Sequence, residues 1–135
     1  MNSRNKGALA EYRFISYAIS LDLRVLTPAV EGYPYDCVID NGKRFYRIQV
    51  KYASRDKRCS KAFTSMLQRK VSGPNAVFKK YTAKEVDYFA LYIWYIDTSF
   101  IIPFDAIEGN SINLNLANDK NKFTQYKNNW KQLLR

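Results

Sequence analysis

Tyr35-Asp36-Cys37-Val38-Ile39-Asp40, then Asn41-Gly42, then Lys43-Arg44-Phe45-Tyr46-Arg47-Ile48-Gln49-Val50-Lys51-Tyr52 read as one β-hairpin. Asn-Gly between two such runs is the strongest short signal of a two-residue turn. With Asn41 and Gly42 as the loop, Asp40 faces Lys43, Val38 faces Phe45 and Asp36 faces Arg47. Side chains alternate faces with period two. One face therefore carries Asp36, Val38, Phe45, Arg47, Gln49 and Lys51. The other carries Cys37, Ile39, Tyr46, Ile48 and Val50, an apolar set that reads as core. An acid, an amide and an ammonium thus gather at one end of the hairpin. A slip of one residue would send Asp36 to the face opposite Gln49 and Lys51.

The chain around the hairpin alternates helical and extended patterns. Ala8, Leu9, Tyr12, Ile15, Ala18 and Ile19 recur at helical spacing and predict a helix over the first twenty residues. Residues 24–27 read as a short strand stopped by Pro28. Beyond the hairpin, a basic loop over 54–61 leads to a second expected helix at 62–71, with Phe63, Met66 and Leu67 on one side. Ser72-Gly73-Pro74-Asn75 is expected to end it. The aromatic run 86–96 suits a central strand, turned by Asp97-Thr98-Ser99 into a partner over 100–104. The Asn-rich stretch 108–122 reads as a surface loop, and Phe123, Tyr126, Trp130 and Leu133 predict a closing helix. The expectation is one α/β domain over residues 1–135, with a mixed central sheet of about five strands flanked by helices.

Composition narrows the chemistry. The 135 residues carry a net charge of +10 and no histidine. A pI near 9.6 with clustered Lys and Arg is the footprint of a polyanionic partner, although a merely basic soluble protein would share it. Without histidine there is no Ser-His-Asp or Cys-His nucleophile system and no histidine general base. Cys37 and Cys59 are too few for a structural zinc site or a disulfide framework. No apolar run approaches the roughly 20 residues of a membrane span and no signal peptide opens the chain, so a soluble, cytoplasmic protein is expected.

Glu11 completes the constellation. On a helix turning about 100° per residue, Glu11 falls inside the apolar stripe, between Ile15 and Ala18. An unpaired carboxylate there is costly, so a cation, a hydrogen-bond network or a metal has to compensate. Each residue also has a plainer reading. Glu11 could reach solvent or pair with Arg13 or Arg47, Asp36 could pair across the strands with Arg47, and Lys51 could be a solvated edge lysine. Taken together, a helix packed across the polar hairpin face would add Glu11 to Asp36, Gln49 and Lys51. Two carboxylates and the Val50 carbonyl offer hard oxygen ligands for Mg²⁺ or Mn²⁺. Lys51 would orient or deprotonate water, or stabilise charge on a phosphate.

Pro34-Tyr35-Asp36 followed by Gln49-Val50-Lys51, with Glu11 in the first helix, resembles the PD-(D/E)XK nuclease superfamily and its restriction-endonuclease-like core. The departure is Gln49, where the usual pattern has an acid. That variant on a small basic chain is similar to the cyanobacterial homing endonucleases encoded in group I introns. The resemblance implies a metal-dependent, sequence-specific double-strand DNA endonuclease, with Glu11, Asp36, Gln49 and Lys51 as catalytic residues. It also implies a homo-oligomer, a tetramer in that branch. A junction-resolvase-like nuclease and a non-catalytic DNA-binding module are the alternatives. Arg55, Lys57, Arg58, Lys61, Arg69, Lys70, Lys79, Lys80 and Lys84 follow Lys51 and would track phosphates, with Ser60, Gln68, Lys79 and Lys80 as candidates for base contact.

Overall fold

Asn41 and Gly42 do turn the chain, but as part of a four-residue loop. The computed structural model describes residues 1–71, 74–75, 77–118 and 120–135. In it β2 (Cys37–Asp40) pairs with β3 (Phe45–Tyr52) so that Asp40 faces Phe45 and Val38 faces Arg47. The expected pairs are therefore each displaced by two residues. The reason is local. A two-residue turn of the expected type needs positive φ at both positions, but only Gly42 adopts it, at +88°. The Asn41 carboxamide oxygen instead accepts from the N–H groups of Lys43 and Arg44, and its Nδ2 donates to the Leu133 carbonyl. An even displacement leaves the paired side chains of 37–40 and 45–48 on their predicted faces, whereas Asp36 lies just outside β2.

The hairpin lies inside a five-stranded mixed sheet. β1 (Arg24–Leu26) borders β2, and β8 (Tyr88–Ile93) runs parallel to β3 and antiparallel to β9 (Thr98–Pro103). Helix α1 (Ser3–Ser20), capped by the Asn2 side chain, buries Ala10, Phe14 and Ala18 on one sheet face against Cys37, Ile39, Ile48 and Val50. The stripe is rotated from the one read in sequence, for Tyr12 and Ile19 are exposed.

The other sheet face is covered by strands. β4 (Ser54–Arg55), β5 (Ala62–Met66) and β10 (Ser111–Asn115) form a second sheet, and β6 (Gln68–Val71) with β7 (Val77–Lys80) a two-stranded ribbon. Phe63, Leu67, Ile112, Leu114 and Phe123 bury the Phe89 and Leu91 side of β8. The second helix expected at 62–71 is thus absent. Phe63, Met66 and Leu67 imitate a helical stripe, but Phe63 and Leu67 are buried whereas Met66 is 61 % exposed. What decides the outcome is the ladder to β10, a strand arising within the stretch read as a loop. Of the turn expected to end that helix, Ser72 and Gly73 lie outside the described residues.

The closing helix is also replaced, by two short 3₁₀ turns, Thr124–Tyr126 and Trp130–Leu134. Between them Asn128 sits at φ +51° and donates its N–H to the Ser99 carbonyl, while Lys127 bridges Phe100. The free edge of β9 has captured a segment whose side chains suited a helix. Trp130 then stacks on Phe14 at 4.8 Å, closing the helix side of the core. β8 likewise ends at Ile93, short of the expected 96, because Trp94–Ile96 and Asp97 at φ +46° make the turn.

Candidate active site

Asp36 sits where β2 parts from β3. Its N–H donates to the Ile48 carbonyl at 2.8 Å, and its carboxylate Oδ2 accepts from the Val50 N–H at 2.7 Å. A side-chain oxygen has taken the role a strand carbonyl would have played, which fixes the carboxylate against the middle of β3. Gln49 and Lys51 flank that amide. Gln49 is buried, and its Nε2 donates to the Val50 carbonyl at 3.3 Å, leaving that oxygen one further lone pair.

Glu11 arrives from the opposite side to the one expected. Helix α1 covers the apolar face of the hairpin, where Ile48 and Val50 lie, not the face of Gln49 and Lys51. Glu11 occupies the shoulder of the helix next to buried Ala10, half-buried itself, and lines the same cleft as Asp36. The electrostatics record the meeting. Burial, and then the Asp36 charge, push the Glu11 carboxyl above its ordinary range. Burial also raises Asp36, against the opposing pull of the Val50 N–H and the Lys51 ammonium. Burial pulls Lys51 down, with Asp36 opposing. The Cys37 thiol behind them is driven to about 12 by burial and then by both carboxylates.

Two desolvated carboxylates with one ammonium leave surplus negative charge. A divalent cation is the partner that this set of hard oxygen donors fits. Among the described residues no cluster of three or more His, Cys, Asp or Glu forms. Any further ligands at this site would therefore be carbonyl, amide or solvent oxygens. Beside Glu11 and Asp36 opens a cleft of about 570 Å³ between α1 and the loop running from Thr27 to Tyr35.

Two neighbours went unread in the sequence. Tyr81 is buried, and its ring lies 5.3 Å from Lys51 Nζ. Arg47 does not meet Asp36 or Glu11. Its guanidinium makes two hydrogen bonds of 3.0 Å to the Asp87 carboxylate, which also accepts from the Arg47 N–H. Neither partner carried a local signal, for each comes from a segment roughly 30 to 40 positions downstream.

The basic residues divide. Lys57, Arg58 and Lys61 are exposed between β4 and β5, beside exposed Ser60, and Lys84 is exposed before β8. Arg55 lays its guanidinium 4.6 Å from the Tyr95 ring. Lys70, Lys79 and Lys80 are exposed on the ribbon. Arg69 differs: it pairs with Glu85 at 2.9 Å and donates to the Gly32 carbonyl at 3.1 Å.

Diverging strands of a mixed sheet, an acid at the divergence, a lysine two positions after Gln49 and a helix glutamate are the marks of a restriction-endonuclease-like nuclease. The chain belongs to the PD-(D/E)XK endonuclease family, whose sequence profile matches residues 1–133. Its fold is that of a bacterial homing endonuclease, I-Ssp6803I. The TM-score is 0.86 at 21 % identity, over 99 % of this chain and 94 % of that one. No curated protein matches the chain in sequence. It is a DNA endonuclease by family, and no helix among the described residues is long and apolar enough to cross a membrane.

Proposed function

We propose that this chain is a sequence-specific, double-strand DNA endonuclease of the homing type, dependent on Mg²⁺ or Mn²⁺. The observation that carries the reading is that Glu11 and Asp36 line one cleft, with the Asp36 carboxylate held by the Val50 N–H between Gln49 and Lys51. Glu11 and Asp36, with the Val50 carbonyl, would hold the cation, which when bound offsets charge on the scissile phosphate and acidifies water. The Val50 N–H fixes Asp36 in that position. Burial lowers the proton affinity of Lys51, fitting it to take a proton from the attacking water or to face the phosphate. Gln49 contributes a neutral donor and acceptor where the usual PD-(D/E)XK pattern has an acid, so this site holds one negative charge fewer than that pattern. Arg55, Lys57, Arg58, Lys61, Lys79 and Lys84 supply the positive surface along which the phosphates lie, with Arg69 bracing it.

One such cluster cuts one strand at a time, so cleavage of both strands calls for at least two copies per duplex. The homing reading makes the assembly a homo-tetramer, each copy a single nuclease domain over residues 1–135, acting on chromosomal DNA in the bacterial cytoplasm. Supercoiled plasmid carrying an intronless target region, incubated in Mg²⁺ or EDTA, tests the reading. Linear product in Mg²⁺ alone is expected. Absence of nicking in Mg²⁺ and Mn²⁺ would overturn it, and nicking by Lys51→Ala at the wild-type rate would overturn the site.

A further inference from the structure

We infer that the β6–β7 ribbon is the sequence reader of this enzyme. The face bearing Gln68, Lys70, Phe78 and Lys80 would contact base edges in the major groove of duplex DNA. The inference rests on the endonuclease reading above and adds the residues that determine specificity. Among the described residues the ribbon is a sheet of its own, hydrogen-bonded to neither of the others. All four residues of β7 are exposed. A two-stranded antiparallel ribbon has the width that a major groove of about 12 Å admits.

Register sorts its side chains. Gln68 faces Lys80 and Lys70 faces Phe78, while Arg69 faces Lys79 and Val71 faces Val77. Directly opposed residues share a face. The Arg69 face is turned toward the body, because Arg69 is bonded to Glu85 and to the Gly32 carbonyl. On the opposite face Lys70, Phe78 and Lys80 are exposed and Gln68 is half-buried. That face presents an amide, two ammonium groups and a phenyl ring that is 63 % exposed. Those are the groups that read bases: lysine on guanine O6 and N7, glutamine on adenine N6 and N7, and an apolar surface on the thymine methyl. The exposed phenyl offers the apolar surface that a thymine methyl would meet.

Arg69 also sets the distance from reader to cutter. Gly32 lies in the loop that runs directly into Asp36, so one guanidinium ties the ribbon base to the segment bearing a catalytic carboxylate. Residues two apart on a strand are separated by about 7 Å, which spans about two base-pair steps. The four side chains therefore cover a run of two to three adjacent base pairs at a fixed offset from the cut.

The test is selection from a randomised duplex library in Ca²⁺ by wild type, Lys70→Ala, Phe78→Ala and Lys80→Ala, with plasmid nicking in Mg²⁺ run in parallel. All three substitutions lie at exposed positions. Wild type is expected to enrich a motif. Each variant should keep the rest of it while losing preference by roughly 10-fold at one contiguous run of two to three pairs. An unchanged motif, with affinity lowered equally for every sequence, would make these residues phosphate contacts and overturn the inference. Failure of wild type to nick plasmid would instead overturn the endonuclease reading, so the two failures are distinguishable.

Discussion

Lys51, Glu11 and Asp36 share one physical condition: each is charged in a place that disfavours its charge. For Lys51 the proposed consequence is catalytic. Replacement by Ala should lower the cleavage rate by about 10² to 10⁴-fold, the range for a positioned acid–base group, while duplex binding in Ca²⁺ is kept. Steady-state cleavage and a gel-shift titration separate the two. For Glu11 the consequence is also thermodynamic. Its folded-state pKa is raised, so between the unfolded value near 4.3 and the folded one the native state holds the extra proton. Stability therefore falls as pH rises through that window, and the full penalty is present above it. In EDTA, Glu11→Gln should melt higher than wild type at pH 7, the gap closing as pH approaches about 4, while cleavage in Mg²⁺ is lost. Thermal scans at several pH values read this, and a lower melting temperature for Glu11→Gln would refute it.

At the scale of elements, Asp87 behaves in the opposite sense. Burial pushes its pKa up, but the hydrogen bonds from Arg47 outweigh this and hold it below the ordinary carboxylate range. A depressed carboxylate stabilises the fold above the unfolded pKa of about 3.9, and that contribution disappears as pH falls through the native value. Asp87→Asn should cost about 1–3 kcal/mol at pH 7 and nothing at strongly acidic pH, measured by urea unfolding. The hairpin loop offers a second check. Asn41→Ala removes the acceptor for two backbone N–H groups and the donor to Leu133, and should cost about 1–2 kcal/mol. It loosens the C-terminal tail as well as the turn. The elements that sequence reading missed have one cause. Residues 62–71 and 123–134 have helical spacing, yet each lies beside a strand edge with unpaired groups, and ladder bonds to β10 or β9 outweigh a local preference worth tenths of a kcal/mol per residue.

Across the whole molecule, the net charge of +10 meets a polyanion. Duplex affinity should fall linearly on a log–log plot against salt, and Lys57→Ala or Lys79→Ala should each reduce the slope by about 1 without changing the selected motif. Fluorescence anisotropy on a fixed duplex at several salt concentrations measures it. A variant that shifts the motif at constant slope would move that lysine from phosphate tracking to base reading. The two sheet faces then divide the work. The helix side, with Phe14, Trp130 and Ile48, holds the fold, and Phe14→Ala there should cost about 3–5 kcal/mol. The strand side carries the ribbon and the basic turns. Asp36 stands at the seam, where a carboxylate can be held by core backbone and still face an open cleft.

The sequence by itself determined which residues could do chemistry. The Asn-Gly turn and the alternation after it assign Gln49 and Lys51 to one face and Ile48 and Val50 to the other, and an error of two residues in register left that parity intact because a strand repeats every two. The absence of histidine confined the chemistry to carboxylates, amide and amine, and Glu11 was conspicuous as an acid near an apolar stripe. Only the tertiary structure decided that helix α1 packs behind the site and that its Glu11 lines the same cleft as Asp36. It also decided that Arg47 belongs to Asp87 and Arg69 to Glu85, and that residues 62–80 are strands. Those outcomes depend on partners distant in the chain, and a ladder bond or ion pair between remote segments leaves no periodicity in either of them.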